Sequence, residues 1–134
     1  MINTLVSELT NRVDYLENEP IETIYFGGGT PSLLPQTAVE RLLETISKYY
    51  VLEDEIEITL EANPDDLSSE KLKQLKDAGI NRLSIGLQTF DDPLLQFLNR
   101  AHNSREAVNC VGMAKAAGFE NISLDVMNIY GLSF

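Results

Sequence analysis

Residues 24–32 read Ile-Tyr-Phe-Gly-Gly-Gly-Thr-Pro-Ser, and this stretch decides the fold. A short apolar run that favours a β-strand meets three consecutive glycines, and a long helical pattern follows. Glycine loses more backbone entropy on ordering than any other residue, but it leaves the main-chain N–H and C=O groups open to a ligand. Pro31 fixes its own φ and stiffens the turn. The stretch predicts an exposed main-chain edge at a strand end; the alternative is an ordinary strand-to-helix turn.

The chain on either side of this stretch alternates between helical and strand patterns. Apolar spacing predicts five helices, at 3–17, 35–50, 68–78, 92–99 and 104–117. Period-two patterns predict four strands, at 21–26, 55–61, 81–88 and 121–126. Alternating strands and helices with short links predict parallel strands joined by right-handed crossovers. Both a partial (β/α) barrel and an open doubly wound sheet satisfy this order.

The two faces of the predicted strands differ in polarity, which separates these two folds. Side chains alternate between faces along a strand, and one alternation is almost purely apolar. The other carries mainly polar residues and glycines: Thr23, Tyr25 and Gly27; Glu57, Thr59 and Glu61; Arg82, Ser84, Gly86 and Gln88; Ser123 and Asp125. A doubly wound sheet is covered by helices on both faces and would need both to be apolar. We therefore predict an α/β fold, a partial (β/α) barrel with helices on the outer face and an interior that holds a polar ligand.

Each predicted strand also ends in a distinctive residue. The glycines follow the first strand, and Glu61, Gln88 and Asp125 stand at the ends of the other three. In parallel β/α folds the carboxyl ends of the strands form the edge where ligands bind. These residues are therefore candidates for one binding rim.

Composition excludes several classes of function. A length of 134 residues suits one domain, and a net charge of −11 with a pI near 4.4 argues against a nucleic-acid partner. One cysteine, Cys110, allows no internal disulfide, and one cysteine with one histidine predicts no metal site. The sequence has no apolar run long enough for a membrane span and no signal segment, so we expect a cytoplasmic protein.

Five motifs in order carry a resemblance to a known family. They are Gly-Gly-Gly-Thr-Pro-Ser at 27–32, Glu-Ala-Asn-Pro at 61–64, Gly-Ile-Asn-Arg-Leu-Ser-Ile-Gly-Leu-Gln at 79–88, Leu-Asn-Arg-Ala-His at 98–102 and Asn-Ile-Ser-Leu-Asp at 121–125. Together they resemble the oxygen-independent coproporphyrinogen III oxidase family of radical S-adenosylmethionine (SAM) proteins, which includes a heme chaperone-like branch. The resemblance extends from about residue 3 to residue 131, and its Arg-Ala-His element is more similar to the chaperone branch.

The resemblance implies a ligand and the residues that bind it. Gly28, Gly29 and Thr30 match the stretch that meets the methionyl part of SAM through main-chain groups, and Glu61 matches a glutamate beside the same SAM. The remaining implied positions face a second ligand pocket: Gln88, Arg100 and Asp125. There the Arg100 guanidinium suits a carboxylate such as a porphyrin propionate. The implied partner is a small molecule, a porphyrinogen or heme.

Each of these candidates also has a purely structural interpretation. Glu61 can pair with Arg82 inside the barrel. The other candidates have similar alternatives: Gln88 as a core amide, Arg100 as a surface cation, Asp125 as a cap of the following loop, and His102 as a solvated loop residue and not a heme ligand. Cys110 lies among small and apolar residues of a predicted helix and is expected to contribute to packing.

The sequence departs from the family in two places. The family's CxxxCxxC loop supplies three thiolates to a 4Fe–4S cluster, and one cysteine cannot replace them. Near the carboxyl end, residues 126–129 add two residues to the family spacing, and Ser133 stands where a proline is usual. We therefore expect residues 1–134 to form the central part of a radical SAM barrel domain, without the cluster loop and the last strands.

The functional prediction follows from these points. The chain is expected to be a portion of a coproporphyrinogen III oxidase-like radical SAM protein that binds SAM at the carboxyl-terminal rim and is catalytically inactive alone. Since the cluster ligands are missing, the sequence leaves open whether this chain is an enzyme. One alternative is a heme-binding chaperone or trafficking protein without oxidase activity. Another is a phosphate- or nucleotide-binding β/α enzyme, although no Lys or Arg stands beside the glycines. Exposed strand edges favour a homodimer.

Overall fold

Four parallel strands form one sheet in the computed structural model, which describes residues 1–88, 91–97 and 103–126. The strands are β1 (Ile21–Phe26), β2 (Leu52–Ala62), β3 (Arg82–Gln88) and β4 (Asn121–Val126). Their order in the sheet is β1-β2-β3-β4, so every crossover moves to the next strand in the same direction. A doubly wound sheet reverses direction at a switch point, whereas a barrel does not.

One helix precedes β1, and the others occupy the crossovers between the strands. The helices are α1 (Ile2–Asn11), α2 (Gln36–Tyr49), α3 (Ser69–Ala78), α4 (Asp92–Phe97) and α5 (Ser104–Ala116). Short 3₁₀ turns stand at Val13–Leu16, Pro31–Leu33 and Pro64–Asp66. In the described part of the chain, no helix combines the length and the apolar character needed to cross a bilayer.

Local sequence signals account for both ends of α3 and for the start of α5. The Ser68 hydroxyl accepts a hydrogen bond from the Lys71 amide and caps α3, which ends at Gly79 with a φ of 111°. The cap of α5 is Asn103, which forms a capping box with Glu106. The predicted first helix is too long, because its α-helical part ends at Asn11 and a 3₁₀ turn continues to Leu16.

The apolar face of the sheet forms the core under the helices. Leu60 of β2 and Leu83, Ile85 and Leu87 of β3 are fully buried. Several apolar residues from the crossovers pack with them: Val39, Leu72, Leu75, Ala107, Cys110, Ala114 and Phe119. Burial of a Leu or Ile side chain stabilises a fold by about 1.5–3 kcal/mol, so this layer fixes which face of each strand turns inward. The predicted packing role of Cys110 is confirmed.

Helices therefore cover one face of the sheet, and the other face carries the polar alternation. Leu124 and Val126 on the last strand are exceptions among the apolar positions, since they are 40% and 48% exposed. In the described residues β1 pairs only with β2, and β4 only with β3. This arrangement confirms the predicted α/β fold, a partial barrel with parallel strands and helices outside.

Candidate functional site

The strand register brings the polar residues of the inner face together in layers. Thr59 lies beside Tyr25 on one side and Arg82 on the other. One layer nearer the carboxyl ends, Glu61 lies beside Ser84. The next layer contains Gly86 beside Asp125. Glu61 and Asp125 therefore stand near the same end of the sheet, as the sequence predicted.

A polar cleft of about 210 Å³ opens at this end. Its lining comes from the turn after β1, from the ends of β2 and β3, and from β4: Gly29, Thr30, Pro31, Glu61, Ala62, Asn63, Ser84, Gly86 and Asp125. Four of the predicted site residues are in this set, namely Gly29, Thr30, Glu61 and Asp125. The fold thus brings together residues that lie up to 96 positions apart in the sequence, from Gly29 to Asp125.

The Glu61 carboxylate is anchored by two donors from the first strand and its turn. The Tyr25 phenol donates to Glu61 Oε1 at 2.6 Å, and the Gly28 main-chain N–H donates to Oε2 at 3.2 Å. These contacts connect the glycine turn to the end of β2. A carboxylate has about four lone-pair sites, so each oxygen of Glu61 can still accept a further donor from a ligand.

Glycine is needed at positions 27, 28 and 29 for different structural reasons. Gly28 and Gly29 have φ values of 80° and 66°, a region that glycine enters without strain. Gly27 has no such angle, but a Cβ there would lie 2.7 Å from Tyr25 Cε1 and 3.2 Å from Glu61 Oε1. The first glycine therefore leaves room for the tyrosine ring and the carboxylate, and the other two form the turn.

The far side of the cleft is formed by β3 and β4. The Ser84 hydroxyl donates to Asp125 Oδ2 at 3.2 Å, so Asp125 faces the interior of the partial barrel. Gln88 is the last residue of β3 and lies beside Val126 in the register. Arg100 and His102 fall outside the described residues, as do the inserted positions after Val126.

Arg82 does not pair with Glu61, which was the structural alternative for that residue. Its guanidinium donates to Thr59 Oγ1 at 3.3 Å and to Ser123 Oγ at 2.7 Å. It also lies 3.9 Å from Glu57. Arg82 thus belongs to a layer nearer the amino ends of the strands, and Glu61 stays available at the rim.

A second hydrogen-bond network, which was not predicted from the sequence, holds the glycine turn in place. Ser32 is 1% exposed and donates to Asp66 Oδ2 at 3.0 Å, which joins the turn after β1 to the turn after β2. The Lys71 ammonium donates to the Leu34 carbonyl oxygen, and its burial lowers the pKa of Lys71. These contacts fix the rim turns relative to each other.

The cleft carries negative charge. Glu61 and Asp125 line it, and none of its described lining residues is a Lys or Arg. Such a cleft favours a cationic group and disfavours a phosphate, which argues against the phosphate-binding alternative. Within the described ranges, no group of three or more His, Cys, Asp or Glu residues is arranged to hold a metal ion.

Tyr25 is a site residue that the sequence analysis did not single out. The hydrogen bond to Glu61 is the main cause that raises the pKa of Tyr25, and partial burial adds to it. The phenol therefore stays protonated and acts as a donor. Its position was visible in the sequence, since Tyr25 shares the inward alternation with Gly27, but alternation alone names no partner.

Comparison with known proteins identifies the family. A model of the radical SAM superfamily matches residues 3–133, nearly the whole chain. The chain belongs to the radical SAM superfamily. This match confirms the radical SAM part of the predicted resemblance.

Curated relatives of this radical SAM chain include proteins named heme chaperone HemW. The HemW protein of Lactococcus lactis is 44% identical over 131 residues, which cover 98% of this chain and 34% of that protein. The HemW protein of Bacillus subtilis is 42% identical over 127 residues, with 94% and 34% covered. The chain thus spans about a third of the length of these relatives.

A solved structure agrees with this placement. Coproporphyrinogen III oxidase (HemN) from Escherichia coli, described as a radical SAM enzyme, superposes with a TM-score of 0.81 at 25% identity. The match covers 92% of this chain and 29% of that one. The chain is therefore HemN/HemW-like, and its four parallel strands correspond to part of that barrel. The radical SAM family implies SAM and a 4Fe–4S cluster as cofactors.

Proposed function

We propose that this chain provides the SAM-binding rim of a HemN/HemW-like radical SAM protein. The observation that carries the proposal is the Glu61 carboxylate, held by the Gly28 amide and the Tyr25 phenol at the edge of an acidic cleft. In this proposal the Gly28, Gly29 and Thr30 main chain and Glu61 bind the methionyl and ribose end of SAM. Gln88, Arg100 and Asp125 face a second ligand.

The described residues fit SAM in charge and in shape. SAM carries a sulfonium and an ammonium group, and Glu61 supplies compensating charge in a cleft whose described lining residues include no Lys or Arg. The glycine turn has no Cβ at Gly28 or Gly29 to obstruct approach to its main-chain groups. At about 210 Å³ the cleft is smaller than the roughly 300–1,000 Å³ usual for ligand sites, so these residues enclose one end of the ligand.

The residues of this chain do not fit the 4Fe–4S cluster. The sequence has one cysteine, and Cys110 lies in α5, buried under the apolar face of the sheet and away from the cleft. Burial raises the pKa of its thiol to about 11, which opposes the thiolate that iron needs. When bound with a cluster, SAM supplies the adenosyl group for radical chemistry; the role we derive for this chain ends at binding and orienting SAM.

Calorimetric titration of the chain with SAM tests the binding proposal. The isosteric variant Glu61→Gln removes the charge, and loss of a charge-assisted hydrogen bond weakens binding by about tenfold or more. The matched control is Glu57→Gln, on the same strand and face but beside Arg82, and it leaves the affinity unchanged. Absent binding by the wild-type chain, or equal affinity of Glu61→Gln, contradicts the proposal.

We also propose that the chain alone cannot cleave SAM reductively. The physical reason is the lack of three thiolates, so no cluster can deliver the electron. Incubation with SAM, iron, sulfide and dithionite without oxygen should give no 5′-deoxyadenosine above a protein-free control. Enzymatic formation of 5′-deoxyadenosine would overturn this part of the proposal.

Heme handling is the second candidate function, and the similarity to HemW proteins favours it. In this case a porphyrin is the second ligand, with Arg100 facing a propionate. Visible absorbance during heme titration of the chain tests it, and a saturable shift that Arg100→Gln weakens supports it. A heme spectrum identical to that of heme in protein-free buffer counts against it. So does a spectral shift that Arg100→Gln leaves unchanged.

The remaining expectations stay predictions. We place residues 1–134 in the central part of a radical SAM barrel domain and expect a cytoplasmic location. A homodimer through the strand edges is supported by the single neighbour of β1 and of β4 among the described strands. Light scattering at several concentrations measures the mass, and a monomer at all of them would refute the dimer.

A further inference from the structure

Tyr25 holds a place in the rim that no binding role yet explains. Its hydroxyl lies 2.6 Å from Glu61 Oε1, and its ring covers the position where Gly27 has no Cβ. The cleft-lining residues described above include Glu61 but not Tyr25. The phenol therefore contacts the edge of the cleft through the Glu61 carboxylate.

The arrangement restricts the Glu61 side chain. A glutamate has three rotatable bonds, and an unrestrained one loses much rotamer freedom when it binds a ligand. Here both oxygens have donors from different parts of the chain, Tyr25 within β1 and Gly28 in the turn. Two donors at different angles fix the plane of the carboxylate as well as its position.

We propose that Tyr25 is a positioning residue that orders the Glu61 carboxylate before SAM binds. This inference rests on the proposed function, because Glu61 is the residue that would contact the ligand. Pre-ordering strengthens binding because the rotamer entropy is lost on folding and not on association. Gly27 is part of the same device, since any larger residue would displace the tyrosine ring.

The surroundings of the phenol suit a permanent donor. Carboxylates face it from two other strands, Glu61 of β2 and Asp125 of β4, and both disfavour the phenolate. The Ser84 hydroxyl of β3 acts in the opposite direction. The net effect raises the pKa of Tyr25 above its ordinary value, so the phenol donates throughout the neutral range.

A double-mutant cycle separates positioning from a general structural effect. We expect Tyr25→Phe, which keeps the ring and removes the hydroxyl, to weaken SAM binding about fivefold in the wild-type background. In the Glu61→Ala background, which offers the phenol no acceptor, the same change should have no effect on affinity. Tyr15→Phe, at an exposed tyrosine away from the rim, is the control and leaves affinity unchanged. An equal loss in both backgrounds, or none in the wild type, overturns the proposal.

Titration of the tyrosine phenols tests the contact without any ligand. NMR of labelled tyrosine carbons should show one phenol with a raised pKa. Its resonance should disappear in Tyr25→Phe, and its pKa should fall towards the ordinary value in Glu61→Gln. No change in Glu61→Gln would overturn the positioning role. If SAM does not bind the wild-type chain, the proposed function fails, and this titration still decides whether Tyr25 holds Glu61.

Discussion

Gly27→Ala tests whether the first glycine exists to accommodate the tyrosine ring. The new Cβ would lie 2.7 Å and 3.1 Å from two ring atoms of Tyr25 and 3.2 Å from Glu61 Oε1. The backbone at position 27 is not left-handed, so alanine meets no strain from its φ. In the folded state the effect must therefore come from these contacts.

The change in the free energy of unfolding depends on whether the Tyr25 ring can move away from the new Cβ. If the ring stayed in place, overpacking would cost about 1–3 kcal/mol. The Tyr25 side chain is 56% exposed, so it can swing away and lose its hydrogen bond to Glu61 instead. That bond contributes about 0.5–1.5 kcal/mol net, and replacing glycine gains about 0.4–1 kcal/mol through the unfolded chain. We expect the free energy of unfolding to fall by about 1 kcal/mol or less, while SAM affinity falls about fivefold as Glu61 loses its anchor.

Urea denaturation and calorimetry with SAM measure the two effects separately. Gly112→Ala is a matched control, since Gly112 lies inside α5 with nothing within 4 Å of its added Cβ. It should raise the free energy of unfolding by up to about 1 kcal/mol and leave SAM affinity unchanged. A loss in Gly27→Ala clearly above about 1 kcal/mol, within the range of about 1–3 kcal/mol for overpacking, would show that the ring cannot move. Unchanged affinity would refute the link from Gly27 through Tyr25 to Glu61.

Three further predictions address the supporting structure. Ser32→Ala leaves Asp66 without its buried donor and should lower the free energy of unfolding, measured in urea, by about 1–2 kcal/mol. The control Ser47→Ala, at an exposed serine, should change it by less than about 0.5 kcal/mol. Equal effects of the two changes would contradict the network. The Cys110 thiol, buried and with a pKa near 11, should not react with a thiol reagent at pH 8 until the chain unfolds, and rapid reaction of the native protein would show that α5 is not packed as described. Because the folded state raises the pKa of Tyr25, the contribution of Tyr25 to stability is present below the ordinary pKa near 10 and is lost as pH rises through the pKa of the folded state. In thermal melts at alkaline pH, the melting temperature of Tyr25→Phe should therefore fall less steeply with pH than that of the wild type. Identical slopes would refute this prediction.

Much of the fold could be predicted because its signals are local. The bounds of the first and last strands were predicted correctly, since alternating apolar residues and turn residues mark them directly. The Ser68 cap and the Gly79 end of α3 depend on neighbouring residues alone. The Val13–Leu16 turn was missed because its apolar spacing continues that of α1, and only the backbone shows the tighter winding.

The candidate site could be predicted only in outline. The alternation of side chains along the strands placed Glu61 and Asp125 on the inner face, and the rule for parallel folds placed them at one edge. This alternation does not show how far each strand is shifted along its neighbour. Arg82 and Glu61 share a face, so their pairing was a reasonable alternative, yet the register sets Arg82 beside Thr59 and one layer away from Glu61.

The amino-acid sequence by itself determined which residues face inward, where the strands end and that the rim is acidic. These are properties of short stretches, governed by side-chain alternation and turn chemistry. Only the tertiary structure decided the partners: the Tyr25 phenol and the Gly28 amide on Glu61, and Ser84 on Asp125. The register that makes these pairs is fixed by how the crossover helices pack on the apolar face, and that packing joins residues far apart in the chain.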